Sequence, residues 1–188
     1  VPEPASPTGR ALAAVTGQYG RALRFDGTDD VVRISHSEVN ELQSGFSVAA
    51  WISPAQLSGT QYIVAAARTS SDNGFGFGLN GDSLHFTSFG VGDYDLSGVS
   101  LQPNRWTHVA AVMDGENAVT FYVDGIARGT VTHTVSLNAD TDDELLVGAT
   151  TAAGRSVTDG PFNGRIDELV GVGRALAADE VRALAQSQ

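Results

Sequence analysis

Short apolar runs recur roughly every 8 to 15 residues along this chain, separated by Gly, Asp, Asn, Ser and Pro, a spacing that signals a β-sandwich or jelly roll. The first clear strand is Ala22–Phe25, followed by the turn Asp26-Gly27-Thr28-Asp29-Asp30 and a second strand from Val31 to Ser35. Further strands are expected at Phe46–Ile52, Tyr62–Arg68, Gly74–Leu79, Ser83–Phe89, Trp106–Met113, Ala118–Val123, Ile126–Thr132, Glu144–Ala149 and Gly164–Val172. Turn chemistry fits between them. Asn80-Gly81-Asp82 and Asp124-Gly125 are hairpin signals, and Pro54 closes its strand because proline has no N–H for the ladder. About ten or eleven strands suffice for two sheets packed face to face. Ala175–Gln186 differs: Leu176, Val181 and Leu184 recur at helical spacing, so a short C-terminal helix should lie on the sandwich.

Two strands carry more information than their period. Phe46, Val48, Ala50 and Ile52 share one face, while Ser47, Ala49 and Trp51 share the other, which suits a central strand covered on both sides. In Gly74-Phe75-Gly76-Phe77-Gly78-Leu79 the aromatics occupy one face and the glycines leave the other bare, open to another backbone or a ligand.

A chain of 188 residues with 41% hydrophobic and 18% charged residues can bury a core as one domain, expected over 21–188 after a Pro-rich linker or edge segment at 1–20. There are no cysteines, so neither disulfides nor thiolate metal sites are available. The net charge is -11, and every basic residue is arginine. Such a surface repels phosphate backbones and argues against nucleic acid as a partner. No apolar run approaches a membrane span, and the first residues lack the pattern of a signal peptide. The expectation is a monomeric module of a larger extracellular or cell-surface protein.

Five blocks, in order, resemble the laminin-G-like, concanavalin A-like lectin/glucanase jelly-roll domains. They are A-L-R-F-D-G-T-D-D-V-V at 22–32, F-S-V-A-A-W-I at 46–52, R-W-T-H-V-A-A-V at 105–112, V-T-F-Y-V-D-G at 119–125, and F-N-G-R-I-D-E-L at 162–169 with R-A-L-A-A-D-E-V at 174–181. The resemblance implies an all-β, two-sheet antiparallel jelly-roll sandwich with the opening and closing strands side by side. It spans binding modules, adhesion domains, pentraxins and glycosidases, so function must be argued from sites.

That adjacency would bring Asp26, Asp30 and Asp167 together, and close carboxylates need a cation, a proton or several donors. A structural Ca²⁺ is one solution, with Gly27 or Thr28 lending a carbonyl; turn-capping of backbone N–H groups is the other. Asp72 and Asn73 resemble the Asp-Asn pair of a pentraxin Ca²⁺ site that presents ligand. The later stretch from Thr150 to Gly160 offers only Asp159 and hydroxyls, so an Asx turn competes with that reading. Asn138 to Glu144 lacks the EF-hand spacing and reads as a solvated loop.

Sugar recognition needs aromatic faces and planar polar groups. Trp51 and Trp106 lie within the family's core motifs and are expected to be core. The expected ligand residues are Tyr94 on the Gly90–Gly98 loop, with Asp93 and Asp95, Phe89, His85, Arg68 and Arg155 nearby. Catalysis is not expected. The paired acids of retaining glycosidases of this fold, E-x-D-x-x-E or E-x-D-x-E, are missing, and adjacent Asp167 and Glu168 should point to opposite faces. No G-x-S-x-G, catalytic cysteine or P-loop occurs. The sequence thus points to a lectin-like, Ca²⁺-stabilised module that binds a glycan or cell-surface ligand. The alternative is an adhesion or structural domain that binds a protein partner or spaces neighbouring domains.

Overall fold

The computed structural model describes residues 12–35, 45–66, 74–133, 144–151 and 158–187. Its strands, in chain order, are β1 (Ala13–Thr16), β2 (Arg21–Asp26), β3 (Val32–Ile34), β4 (Ser47–Pro54), β5 (Thr60–Ala66), β6 (Phe75–Asn80), β7 (Ser83–Ser88), β8 (Gly92–Leu96), β9 (Thr107–Met113), β10 (Ala118–Val123), β11 (Ile126–Thr132), β12 (Leu145–Val147), β13 (Thr150–Thr151), β14 (Thr158–Asp159) and β15 (Asn163–Val172). One helix, α1 (Ala178–Gln186), follows.

Seven strands form one sheet in the order β1-β2-β15-β4-β9-β10-β11, and six form the other in the order β3-β12-β5-β6-β7-β8; β13 and β14 make a separate ribbon. All pairings are antiparallel. This is the jelly-roll sandwich that the spacing of apolar runs and turns foretells, and β2 and β15 are neighbours as expected.

Alternation sorts the side chains. Phe25, Val48, Ala50, Ile52, Phe75, Phe77, Leu84, Phe86, Val109 and Phe121 point between the sheets and are buried. Phe46, just before β4, joins them; its ring lies 4.5 Å from that of Phe75, which stacks on Phe86 at 5.9 Å. Rings at these separations gain from edge and offset contacts beyond the area they bury. The turns hold the register. Asp124 and Gly125 both take positive φ, +51° and +73°, matching the two-residue hairpin between β10 and β11. The Asp114 Oδ1 accepts N–H bonds from Glu116, Asn117 and Ala118 and closes the β9–β10 hairpin.

The helix begins three residues later than its sequence period suggests. Ala177 lacks a capping oxygen, but the Glu180 carboxylate accepts the Ala177 N–H and grips Arg174. Those bonds, the Arg174 one foremost, hold the Glu180 carboxyl down at about 2. Val181, with Leu176 and Leu184, covers Ala49, Ala110, Val112 and Tyr122 on the outer face of the seven-stranded sheet.

Four strands lie where the sequence reads as loop or linker. β1 falls inside 1–20, β8 inside the Gly90–Gly98 segment, and the short β13 and β14 inside 150–160. β1 and β8 are edge strands of the two large sheets. An edge strand with one outward-facing side needs few apolar residues, so periodicity underreports it.

Candidate functional site

The outer face of the seven-stranded sheet divides into three zones. Helix α1 covers the first. In the second, half-buried Trp51 meets the Tyr19 ring at 5.8 Å and the His108 ring at 5.6 Å, both edge-on. The Trp51 indole N–H and the His108 Nδ1 are buried without a hydrogen-bond partner among the described residues. Burial pushes the His108 imidazole down to about 4, against the opposing pull of Asp124, so the ring is neutral at physiological pH.

The third zone is an open groove of about 330 Å³, lined by Val15, Arg24, Ser53, Ala55, Asn104, Asn163, Gly164 and Arg165. Its floor follows from strand register. Arg165 is paired with Arg24 on one side and with Ser53 on the other, and residues directly opposite in antiparallel strands share a face. Arg165 donates to the Ser53 Oγ at 2.9 Å, and its guanidinium carbon lies 5.0 Å from the centre of the Trp106 ring. A guanidinium over an indole is attracted by the ring's negative face, which fixes the side chain without consuming all its N–H donors. Asn163 forms the wall nearest the Asp-rich turn, opposite Asp26. Asn104, with φ +60°, contributes the second amide from the loop before β9. The lining therefore offers two guanidinium groups and two carboxamides, planar hydrogen-bonding groups suited to vicinal hydroxyls, while the buried Ser53 hydroxyl anchors Arg165 beneath them.

The residues anticipated from sequence are distributed differently. Tyr94, expected on an exposed loop, is fully buried on the core side of β8. Its ring contacts Phe86 at 5.9 Å and His133 at 4.3 Å, and its hydroxyl has no partner among the described residues. Burial, with a smaller contribution from Asp114, raises its phenol above the ordinary value. β8 pairs with β7, so alternation turns Tyr94 inward and leaves Asp93 and Asp95 outward. Asp93 and Asp95 are exposed; His85 is buried, its Nδ1 2.9 Å from the Asp95 Oδ1. Phe89 is also buried, packed 6.2 Å from Tyr62. Arg68, Asp72, Asn73 and Arg155 lie outside the described residues.

The glycine face of β6 is not bare. A Cβ at Gly76 would stand 2.5 Å from the Tyr62 ring, and one at Gly78 only 2.0 Å from the Gln61 carbonyl oxygen. The missing side chains make room for β5 and its tyrosine rather than for a ligand. Trp51 and Trp106 depart from expectation in the opposite sense: both are half-buried, and Trp51 alternates with the core residues Ala50 and Ile52.

The expected Asp26–Asp30–Asp167 grouping does not form. Asp26 is opposite Asn163, and Asp167 is four residues further along β15, about 13 Å at strand rise. Asp167 is buried and accepts the N–H groups of Tyr19 and Glu168. Its place near Asp26 is taken by Asp29: carboxylate oxygens of Asp26, Asp29 and Asp30 all lie within 4.8 Å of one another. Asp26 Oδ1 accepts the Thr28 N–H and Asp30 Oδ2 accepts the Asp26 N–H, which leaves Asp26 Oδ2, Asp30 Oδ1 and the Asp29 carboxylate for other partners. Hard oxygens at this spacing fit a Ca²⁺-sized cation.

Sequence reasoning missed Arg24, Arg165, Ser53, Asn104 and Asn163 as a group. Arg24 and Arg165 alternate with buried Phe25 and Ile166, so their outward direction was readable. Their convergence depends on the β2–β15–β4 register, which no local pattern encodes.

No curated protein matches the chain. A family profile described as the Concanavalin A-like lectin/glucanases superfamily matches residues 26–182. Among solved structures, domain 4 of the extracellular arabinanase AbnA from Geobacillus stearothermophilus, in complex with arabinotriose, is similar at 25% identity and TM-score 0.74, over 95% of this chain and 82% of that one. A SAP-like pentraxin from Limulus polyphemus (17% identity, TM-score 0.68, 86% and 80% covered) shares the fold. So does the CBM40 domain of the Ruminococcus gnavus IT-sialidase bound to α2,3-sialyllactose (13%, TM-score 0.69, 87% and 96% covered). With the family pattern running through both sheets from the Asp-rich turn to the C-terminal helix, this chain belongs to the concanavalin A-like lectin/glucanase superfamily.

Proposed function

We propose that this chain is a non-catalytic carbohydrate-binding module of a larger extracellular protein, and that it holds an oligosaccharide in the groove of Arg24, Ser53, Asn104, Asn163 and Arg165. The observation that carries this reading is the convergence of five polar side chains in one open groove beside Trp106. The arabinotriose-bound relative, alike over 95% of this chain, supports sugar as the ligand class. Sugars bind such sites by exchanging hydroxyl–water bonds for bonds to fixed amides and guanidinium groups, with little apolar burial, so modest affinity is expected.

The chemistry beside the groove favours binding over hydrolysis. Among the described residues its lining contains no carboxylate. Of the nearest acids, Asp167 is buried and bound to two backbone N–H groups, and Asp26 belongs to the β2–β3 turn. The acids close to Asp26, Asp29 and Asp30, share its turn instead of facing it across the groove, whereas a glycosidase needs its two acids on either side of the bound sugar.

Ca²⁺ belongs to this proposal as a structural ion at Asp26, Asp29 and Asp30. When bound, it would neutralise the clustered carboxylates and stiffen the turn. The turn touches the groove wall: a Cβ at Gly27, where φ is +79°, would stand 2.7 Å from the Asn163 Cβ, so Asn163 packs against the turn's backbone.

The test is a glycan screen followed by calorimetry on the best ligand with the double variant Asn104→Gly, Asn163→Ala. Glycine at 104 keeps the left-handed backbone unstrained. Loss of two amides should weaken binding at least tenfold, about 1.4 kcal/mol, with thermal stability retained. Unchanged affinity would remove the groove from the reading, and the absence of any glycan ligand would favour a protein-binding or spacer role.

A further inference from the structure

Resting on the glycan reading of the same groove, we infer that its ligand is an acidic sugar, whose carboxylate or sulfate is held between Arg24 and Arg165. The two guanidinium side chains stand directly opposite each other on neighbouring strands and share one face. Like charges so placed repel, a cost that a fold normally offsets with an acid. Elsewhere this chain does so: Arg33 pairs with Glu144 at 2.8 Å, and Arg174 with Glu180. Here no acid among the described residues answers. Arg24 is exposed and makes no hydrogen bond or ion pair among the described residues. Among the described residues Arg165 bonds only the Ser53 hydroxyl, and it lies over Trp106.

The nearest acids along the same strands make no ion pair with either arginine. Asp26, two residues from Arg24, gives one oxygen to the Thr28 N–H and lies in the cluster with Asp29 and Asp30, and Asp167, two residues from Arg165, accepts the N–H groups of Tyr19 and Glu168. Two guanidinium forks on one groove floor, with carboxamides on the walls, make a receptor for an anionic oxygen group carried on a hydroxylated ring. The overall charge of -11 sharpens the point. The protein's long-range field repels anions, so only contacts inside a screening length of roughly 8 Å can draw one in, and these two arginines are placed to do it.

Calorimetry at 0.15 M salt tests this with four probes: trigalacturonic acid, its methyl-esterified form, a sulfated galactotriose and neutral galactotriose. The acid or the sulfated sugar should bind at least tenfold more tightly than the ester and the neutral sugar, and the tighter of the two identifies the anionic group. Arg24→Gln, at an exposed side chain with no partner among the described residues, should weaken binding of the charged sugar far more than that of the ester and bring the preference to near one. A preference that survives Arg24→Gln overturns the inference. Equal binding of charged and uncharged sugars, weakened together by Asn104→Gly, Asn163→Ala, overturns the inference and leaves the glycan reading standing. If none of the four binds at millimolar concentration, the inference falls, and a hit among other neutral glycans would show that the broader reading survives it.

Discussion

Asp26 on β2 faces Asn163 on β15, four residues short of Asp167, and this pairing ties the Asp-rich turn to the wall of the groove. It also separates two roles that the sequence merges. Asp26, Asp29 and Asp30 form an oxygen cluster, whereas Asp167 serves the backbone of Tyr19 and Glu168.

The calcium response should follow that division. Ca²⁺ at about 100 times its Kd should stabilise the fold by about 2.7 kcal/mol, raising Tm by roughly 5–10 °C over the EDTA-treated protein. Asp29→Asn combined with Asp30→Asn should abolish the rise. Asp167→Ala should cost about 1–3 kcal/mol through lost backbone bonds yet keep the rise intact. Scanning calorimetry with and without EDTA reads both. A rise that disappears only with Asp167→Ala would contradict the assignment.

Tyr94 should behave as a core residue. Tyr94→Phe removes a buried hydroxyl without a partner among the described residues and should be neutral or stabilising by up to about 1 kcal/mol. Tyr94→Ala empties the space beside Phe86 and His133 and should cost about 3–5 kcal/mol. Urea unfolding measures both. Reduced glycan affinity in a fully folded Tyr94→Phe protein would return this residue to the site.

His108 should make the fold acid-sensitive. Its pKa is held at about 4 in the folded state against an ordinary 6.5, so the unfolded chain binds the proton more readily between those values. Stability from this group is fully present above pH 6.5, declines as pH falls through the window, and is lost below about 4; the total is on the order of 3 kcal/mol. His108→Phe keeps a ring beside Trp51 and should flatten the pH dependence of Tm between 6.5 and 5. An unchanged slope would assign the effect elsewhere.

Gly78→Ala should be among the more damaging single-methyl additions, because its Cβ would meet the Gln61 backbone oxygen at 2.0 Å. Strand β5 must move or unpair, at a cost of about 2–4 kcal/mol by chemical denaturation. A cost below 0.5 kcal/mol would show that the β5–β6 approach is looser than described.

The sandwich was readable because its signals are local: alternating apolar positions, Asn-Gly and Asp-Gly turns, and the ordered blocks of the family. The site was readable only in pieces. Arg24 shows its outward direction in its own strand, and Asn163 and Arg165 sit within the closing-strand block, but nothing local says that β15 sets Arg165 between Arg24 and Ser53. Tyr94 misled for a related reason. Gly and Asp around it read as a loop, yet Asp93 and Asp95 are simply the outward residues of an edge strand. The glycines of β6 announced a close approach but left open whether backbone or ligand makes it; the β5 backbone at Gln61 and the Tyr62 ring do.

The most direct test of the account is to locate a bound oligosaccharide by amide chemical-shift mapping on the isotope-labelled protein. The largest changes should fall at Arg24, Ser53, Asn104, Asn163 and Arg165, with β7 and β8 unmoved. Changes centred instead on Asp93, Asp95 and His85 would place the ligand on the six-stranded sheet and contradict the groove as the binding site.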